Sequence, residues 1–242
     1  MTAGPAEASV SVIVPTYREV ESLPYLIDRL KPLTAVFRDF ELLIMDDDSN
    51  DGTEGFVEAL GLSWVRLVVR KKDRGLSQAI VEGLGLARYE TIVVMDADLS
   101  HPPEMVPRMV EESFTHEFVL GSRYVEGGGV DERWTAFRWI NSKVATLMAR
   151  PFTRARDPMS GFFAFRRTLL ARAAPLNPVG YKIGLELIVK CDVRDVLEMP
   201  IYFADRKYGE SKLSLREHVA YIRHIGRLAA FRLRAGRTRR LQ

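Results

Sequence analysis

The segment TIVVMDAD, residues 91–98, opens with a short apolar, β-branched run and ends on two aspartates one residue apart. A run of this length and type suits a strand buried in a parallel sheet. The aspartates then lie just past its carboxyl end, where open α/β sheets bind their ligands. The same pattern recurs upstream and downstream, in Ser9 to Pro15, Phe40 to Asp46, Val65 to Arg70 and Glu117 to Ser122. Between these runs lie Glu21 to Ala35, Thr53 to Leu60, Leu76 to Ala87 and Pro103 to Ser113, each with apolar positions three or four apart. Repeated βα units with short connections predict an α/β fold, a mostly parallel, Rossmann-like sheet flanked by helices.

After Tyr124 the rhythm loosens. A glycine-rich loop (Gly127, Gly128, Gly129) precedes a helix expected around Phe137 to Ala149. A strand over Gly161 to Arg166, a helix over Ile183 to Lys190 and a strand over Val196 to Phe203 follow. The expected organisation is a disordered N-terminus (1–8), one catalytic domain (9–212) and a basic amphipathic helix with its tail (213–242). In that last segment Arg216, Arg223, Arg227 and Arg234 fall within about 40° of one another on a helical projection, with Val219, Ile222, Ile225, Ala229 and Leu233 opposite.

The 242 residues are 47% hydrophobic and 28% charged, which excludes a disordered chain. No apolar run exceeds four residues, against the roughly 20 of a spanning helix. The N-terminus lacks the basic and apolar regions of a secretory signal, and a single cysteine, Cys191, forbids an internal disulfide. The expected setting is therefore cytoplasmic. The net charge of +3 conceals an asymmetry: residues 206–242 carry 11 Lys/Arg and 2 Asp/Glu, whereas the first 205 residues carry 24 and 30. A basic end on an acidic body suits a polyanion, either nucleic acid or an anionic membrane surface.

Two acidic clusters carry the chemistry. Asp46-Asp47-Asp48 follows one strand, and such adjacent carboxylates need cations or hydrogen-bond donors beside them. Asp51-Gly52-Thr53 reads as a turn that starts the next helix. Asp96-Ala97-Asp98 aims two carboxylates toward one cleft, which suits Mg2+ or Mn2+ on a substrate diphosphate. Arg123, Arg138 with Ser142 four residues on, and the loop bearing Arg206 and Lys212 supply cations for phosphates. His101, His116, His218 and His224 lack zinc-like spacing.

The motifs PTYREVESL (15–23), MDDDSNDGT (45–53), MDADLSHPPE (95–104), GSRY (121–124), DPMSGFFAFRR (157–167), NPVGYKIGLELIVK (177–190) and YGESKLS (208–214) occur in this order. Together they resemble the dolichol-phosphate mannose synthases, inverting glycosyltransferases of the GT-A fold, over about Val10 to Arg227. The resemblance implies GDP-mannose as donor, dolichyl or polyprenyl phosphate as acceptor, and Mg2+ or Mn2+ as cofactor. It implies a nucleotide site at Pro15, Tyr17, Glu19, Ile44 and Asp46, and nucleotide-sugar contacts at Asp96 and Ala97. Asp98 is implied as the metal ligand, with Ser100 reaching the ion directly or through water. Arg206 and Lys212 would hold the donor diphosphate, while Arg123, Arg138 and Ser142 receive the acceptor phosphate. Arg18 stands where the family usually has Asn, and Ser100 where archaeal members have Gln.

The expected mechanism follows from charge. A phosphate monoester, with its second pKa near 6, is mostly dianionic at neutral pH and needs no base to attack. Asp98, Asp96 and Arg123 are accordingly the residues expected to carry catalysis. A membrane acceptor further implies peripheral contact at the cytoplasmic face through the basic end, or through a separate anchoring subunit. The alternatives are a polyprenyl-phosphate glucosyltransferase using UDP-glucose and a non-catalytic nucleic-acid-binding protein. The acidic body and the lack of an RNA-binding motif oppose the latter, so no nucleic-acid partner is expected.

Overall fold

The computed structural model describes residues 4–132, 136–180, 182–204 and 215–239, apart from the side chains of 136–138, 215–217 and 236–239. In chain order the elements are β1 (Ser9–Thr16), α1 (Leu23–Leu30), α2 (Leu33–Val36), β2 (Asp39–Asp46), α3 (Thr53–Leu60), β3 (Val65–Val69) and α4 (Leu76–Leu86). Then come β4 (Thr91–Val94), α5 (Val106–Glu112), β5 (Phe118–Ser122), β6 (Gly129–Val130) and α6 (Ala136–Ala149). The remainder is β7 (Phe163–Arg166), α7 (Ile183–Lys190), β8 (Val196–Pro200), β9 (Tyr202–Phe203) and α8 (Leu215–Arg239). The long helix expected over Glu21 to Ala35 is two helices, with Pro32 immediately before the second.

Seven strands form one sheet in the order β3-β2-β1-β4-β7-β5-β8. All pairings are parallel except those of β7, which runs antiparallel to both β4 and β5. Every residue of β1 is buried, as expected for an apolar strand covered on both faces. Alternate side chains feed two cores. Val12, Leu42 and Val93 face α1 and α5, whereas Ile13, Leu43 and Ile92 face α4 and α7. On the second face α4 packs very close to the sheet: a Cβ on Gly83 would lie 2.7 Å from Ile13 Cγ2.

The chain order 3-2-1-4 places a topological switch point between β1 and β4, beside the carboxyl ends where Tyr17 and Asp96 follow. Because β7 is reversed, it brings its preceding loop, Asp157 to Phe162, to that same rim. The rim therefore collects residues from five consecutive strands of the sheet, β2 through β5, with β7 contributing from its start.

Pro5–Glu7 form a 3-10 turn and Ala8 is buried, its carbonyl accepting from Arg38 N–H at 2.9 Å. In α8 the inward face is Tyr221, His224 and Leu228, while Val219, Ile222 and Leu233 are exposed. On that side Tyr221 Oη donates to Ala145 O at 2.7 Å, and Arg232 donates to Pro151 O and Phe152 O. Among the described residues no helix is long and apolar enough to cross a membrane.

Candidate active site

The first acidic cluster is neutralised residue by residue. Asp46 accepts from Thr16 Oγ1 at 2.9 Å, Ser49 N at 2.8 Å and Ser49 Oγ at 2.5 Å. Asp47 pairs with the buried Arg70 and accepts from Gly75 N at 2.6 Å, and Asp48 pairs with Arg74. Asp51 accepts from Thr53 N and Oγ1, the helix-starting turn expected there. Arg18, Asp48 and Asn50 all have positive φ, and Arg18 N donates to Ser49 Oγ at 2.8 Å. Non-glycine residues seldom hold that conformation, and it concentrates at functional sites. Pro15 is buried, Tyr17 is exposed at the rim under Arg18, and Glu19 accepts from Ser22 Oγ. Ile44 is fully enclosed in the core, so its side chain has no surface to offer a ligand and supports the rim from beneath.

The second cluster is a tight turn. Leu99 adopts φ 63°, which lets Ser100 fold back so that its N–H and Oγ donate to Asp98 Oδ1 at 3.1 and 2.6 Å. Ser100 thus orients Asp98, with its hydroxyl spent on the carboxylate. Ser100 O accepts from Ala204 N at 3.2 Å, tying the turn to the residue that follows β9. Asp96 N–H donates to His101 Nδ1 at 3.0 Å, an assignment that makes the ring neutral with its proton on Nε2. His101 is buried, stacks on Phe162 and meets Phe203 edge-on. Burial pulls its pKa down against the opposing fields of Asp96 and Asp98. It therefore serves as a fixed, uncharged post behind the turn. Gly161 completes this wall, since a Cβ there would lie 3.4 Å from Asp96 Oδ1 and from His101 Cε1.

Across β7 stands Arg123. Its Nε and Nη2 each donate to Asp157 at 2.7 Å, and its backbone N–H adds a third bond at 3.0 Å. Burial works against the guanidinium charge, but Asp157 outweighs it and raises the Arg123 pKa above its ordinary value. Tyr124 and Phe203 rings lie 5.3 and 5.2 Å from the guanidinium carbon. Asp157 is itself held, its N–H donating to Glu198 Oε1 at 2.9 Å. Asp157 opens the DPMSGFFAFRR stretch but carries no local sign of a role, because its partner lies 34 residues away. Tyr124 Oη donates to Ser142 Oγ at 2.8 Å, so Ser142 and Arg123 belong to one wall. Arg206 and Lys212 lie outside the described residues, as does the side chain of Arg138.

Among the described residues no cluster of three or more His, Cys, Asp or Glu could hold a metal. Two carboxylates at Asp96 and Asp98 nevertheless fit Mg2+ or Mn2+, which bind through one or two carboxylates with substrate phosphates and waters completing the shell. The donor set is all oxygen, as hard divalent ions prefer.

The family model described as glycosyl transferase family 2 matches residues 11–173, from β1 through β7 to the turn beyond it. The chain belongs to that family. A dolichol-phosphate mannosyltransferase of Saccharomyces cerevisiae is 41% identical, over 93% of this chain and 88% of the relative. An undecaprenyl-phosphate mannosyltransferase of Micrococcus luteus is 34% identical, over 85% and 87%. These relatives place the family 2 chain beside the polyprenyl-phosphate mannosyltransferases. Its fold is that of glucosyl-3-phosphoglycerate synthase from Mycobacterium tuberculosis, solved with Mn2+, uridine diphosphate and phosphoglyceric acid. That structure superposes with a TM-score of 0.70 at 22% identity, covering 96% of this chain and 80% of the other.

Proposed function

We propose that the chain transfers mannose from GDP-mannose to dolichyl or another polyprenyl phosphate with inversion, as a peripheral enzyme on the cytoplasmic face of a membrane. One observation carries the reading. The Asp96–Asp98 turn and Arg123 stand on opposite sides of β7, around the buried imidazole of His101, whose surroundings include all three and Asp157. A carboxylate pair suits a metal-bound leaving diphosphate, and an arginine one strand-width beyond suits an incoming phosphate.

In this reading Pro15, Tyr17, Glu19 and Asp46 form the rim that receives the nucleotide, and Asp96 with Ala97 meets the nucleotide sugar. Asp98 would hold Mg2+ or Mn2+, whose chemistry is to neutralise the charge developing on the departing diphosphate. Arg206, two positions past Ala204, and Lys212 would bind that diphosphate from the donor side. Arg123, Arg138 and Ser142 would orient the acceptor phosphate, with guanidinium forks matching its oxygens. No side chain need remove a proton from a dianionic nucleophile. His101 fits that scheme, because its Nδ1 lone pair already accepts from Asp96 N–H and is not directed at a substrate.

The test is donor competition with the purified full chain, Mn2+ or Mg2+ and a short-chain polyprenyl phosphate. Transfer from GDP-mannose giving β-linked mannosyl phosphate is expected. Equal or better turnover with UDP-glucose overturns the mannose reading.

A further inference from the structure

At the edge of the sheet opposite the catalytic rim, where β5 begins and β7 ends, lies a cavity of about 280 Å3. Two stretches of chain make its wall. Phe114 to Glu117 lead from α5 into β5, while Arg166, Thr168 and Arg172 belong to the end of β7 and the 3-10 turn Arg167–Arg172.

The charges around this cavity are spent on one another, with one exception. Glu117 accepts from Arg172 Nη2 and from Arg194 N–H, both at 2.8 Å, and from Asp195 N–H at 3.3 Å. His116 Nδ1 lies 2.9 Å from Asp195 Oδ2. Arg166 is half-buried, yet among the described residues it has no hydrogen-bond or ion-pair partner. Its guanidinium carbon rests 4.8 Å from the centroid of the Phe114 ring. That cation–π contact steadies the group without satisfying its N–H donors. Thr168 Oγ1 likewise has no hydrogen-bond partner among the described residues.

A guanidinium presents five N–H donors in a planar fork, which matches the oxygens of a phosphate or carboxylate. Arg166 and Arg172 outnumber Glu117 in the wall by one positive charge, which an anion would balance. Thr168 adds a hydroxyl donor to the same end of β7. Thr115 works in the other direction: its Oγ1 donates to Glu112 O at 3.2 Å, leaving its lone pairs to accept from a ligand hydroxyl. The volume is that of about nine liquid waters, so a bare phosphate ion leaves most of it unfilled. We propose that this cavity binds a small phosphomonoester carrying hydroxyl groups, a sugar or polyol phosphate, with its phosphate on Arg166 and Thr168 and a hydroxyl on Thr115. The cavity shares no residue with the active site, and its ligand is independent of the transferase reading.

The test is isothermal titration calorimetry of the full chain with glucose-6-phosphate, glucose and inorganic phosphate. Glucose-6-phosphate is expected to bind more tightly than inorganic phosphate, and glucose not to bind measurably. R166Q should weaken glucose-6-phosphate at least about tenfold, the loss expected when a charge-assisted fork is removed. T168V alters an exposed position, should keep the parent melting temperature and should weaken the same probe about threefold or more. Amide hydrogen exchange should slow at residues 114–117 and 166–172 in the presence of glucose-6-phosphate, which separates this cavity from phosphate-binding groups at the rim. Undiminished binding by R166Q or by T168V overturns the proposal. So does a parent chain that binds none of the three probes, or protection confined to the rim. Inorganic phosphate binding as tightly as glucose-6-phosphate overturns the sugar or polyol part.

Discussion

Replacing Asp157 with alanine is the sharpest perturbation the site offers. Its carboxylate is fully buried and receives three hydrogen bonds from Arg123, two of them from the guanidinium at 2.7 Å. Arg123 has only 10% of its side chain exposed, so water has little room to replace the lost partner. Removing one member of such a pair strands a buried charge and costs about 3–5 kcal/mol, whereas exchanging both for apolar groups is often nearly neutral. D157A should therefore lower the unfolding free energy in urea by that amount, and D157A/R123M should recover most of it. A double-mutant cycle isolates the coupling. A loss below about 1 kcal/mol for D157A, or additive losses in the double variant, would falsify the claim that Asp157 sets the Arg123 position through a buried ion pair.

Asp98→Asn should abolish metal-dependent mannosyl transfer while leaving the thermal transition in place, because the Ser100 N–H and hydroxyl still have an acceptor; near-parental transfer rates would remove Asp98 from the metal site. Gly83→Ala should destabilise by about 1–3 kcal/mol, since the new methyl meets Ile13 Cγ2 at 2.7 Å, while Gly85→Ala on the same helix, facing open space, should stabilise by up to about 1 kcal/mol. Denaturant titrations that move the two variants alike would contradict the close approach of α4 to the sheet. His101 and His224 are both pulled below the ordinary 6.5 by burial, so the unfolded chain binds more protons and stability falls as pH drops through about 6.5. Each contributes a slope approaching 1.4 kcal/mol per pH unit below that point, and His224→Gln should remove one share from urea titrations at pH 5.5 to 7.5.

The βα framework through Ser122 is legible because period and length are local properties: buried parallel strands leave short β-branched runs, and α3 and α7 fall on their expected residues. Strand direction is not local. The run Phe163–Arg166 announces a strand, but nothing in its pattern says that it runs backwards between β4 and β5. The packed face of α8 is not local either. Hydrophobicity marks Val219 and Ile222, whereas packing buries Tyr221, His224 and Leu228, with Tyr221 Oη donating to Ala145 O on α6 and His224 Nδ1 3.6 Å from Glu186 on α7. At the site, the Asp-x-Asp turn is visible as a tripeptide. The groups that hold it, Ser100, His101 and Gly161, acquire meaning only from the fold.

The reversed strand also fixes the order in which the molecule is completed. β4 ends at Val94 and β5 begins at Phe118, yet the seam between them is filled only by Phe163–Arg166. On a ribosome adding about 5–20 residues per second, the roughly 70 residues between the end of β4 and the start of β7 leave the apolar edge of β4 waiting several seconds for its neighbour. Unpaired edges of this kind invite foreign strands. The stretch that delivers Asp157 and Gly161 to the rim thus also seals the nascent sheet, and a chain halted before it would present an adhesive half-fold to its surroundings.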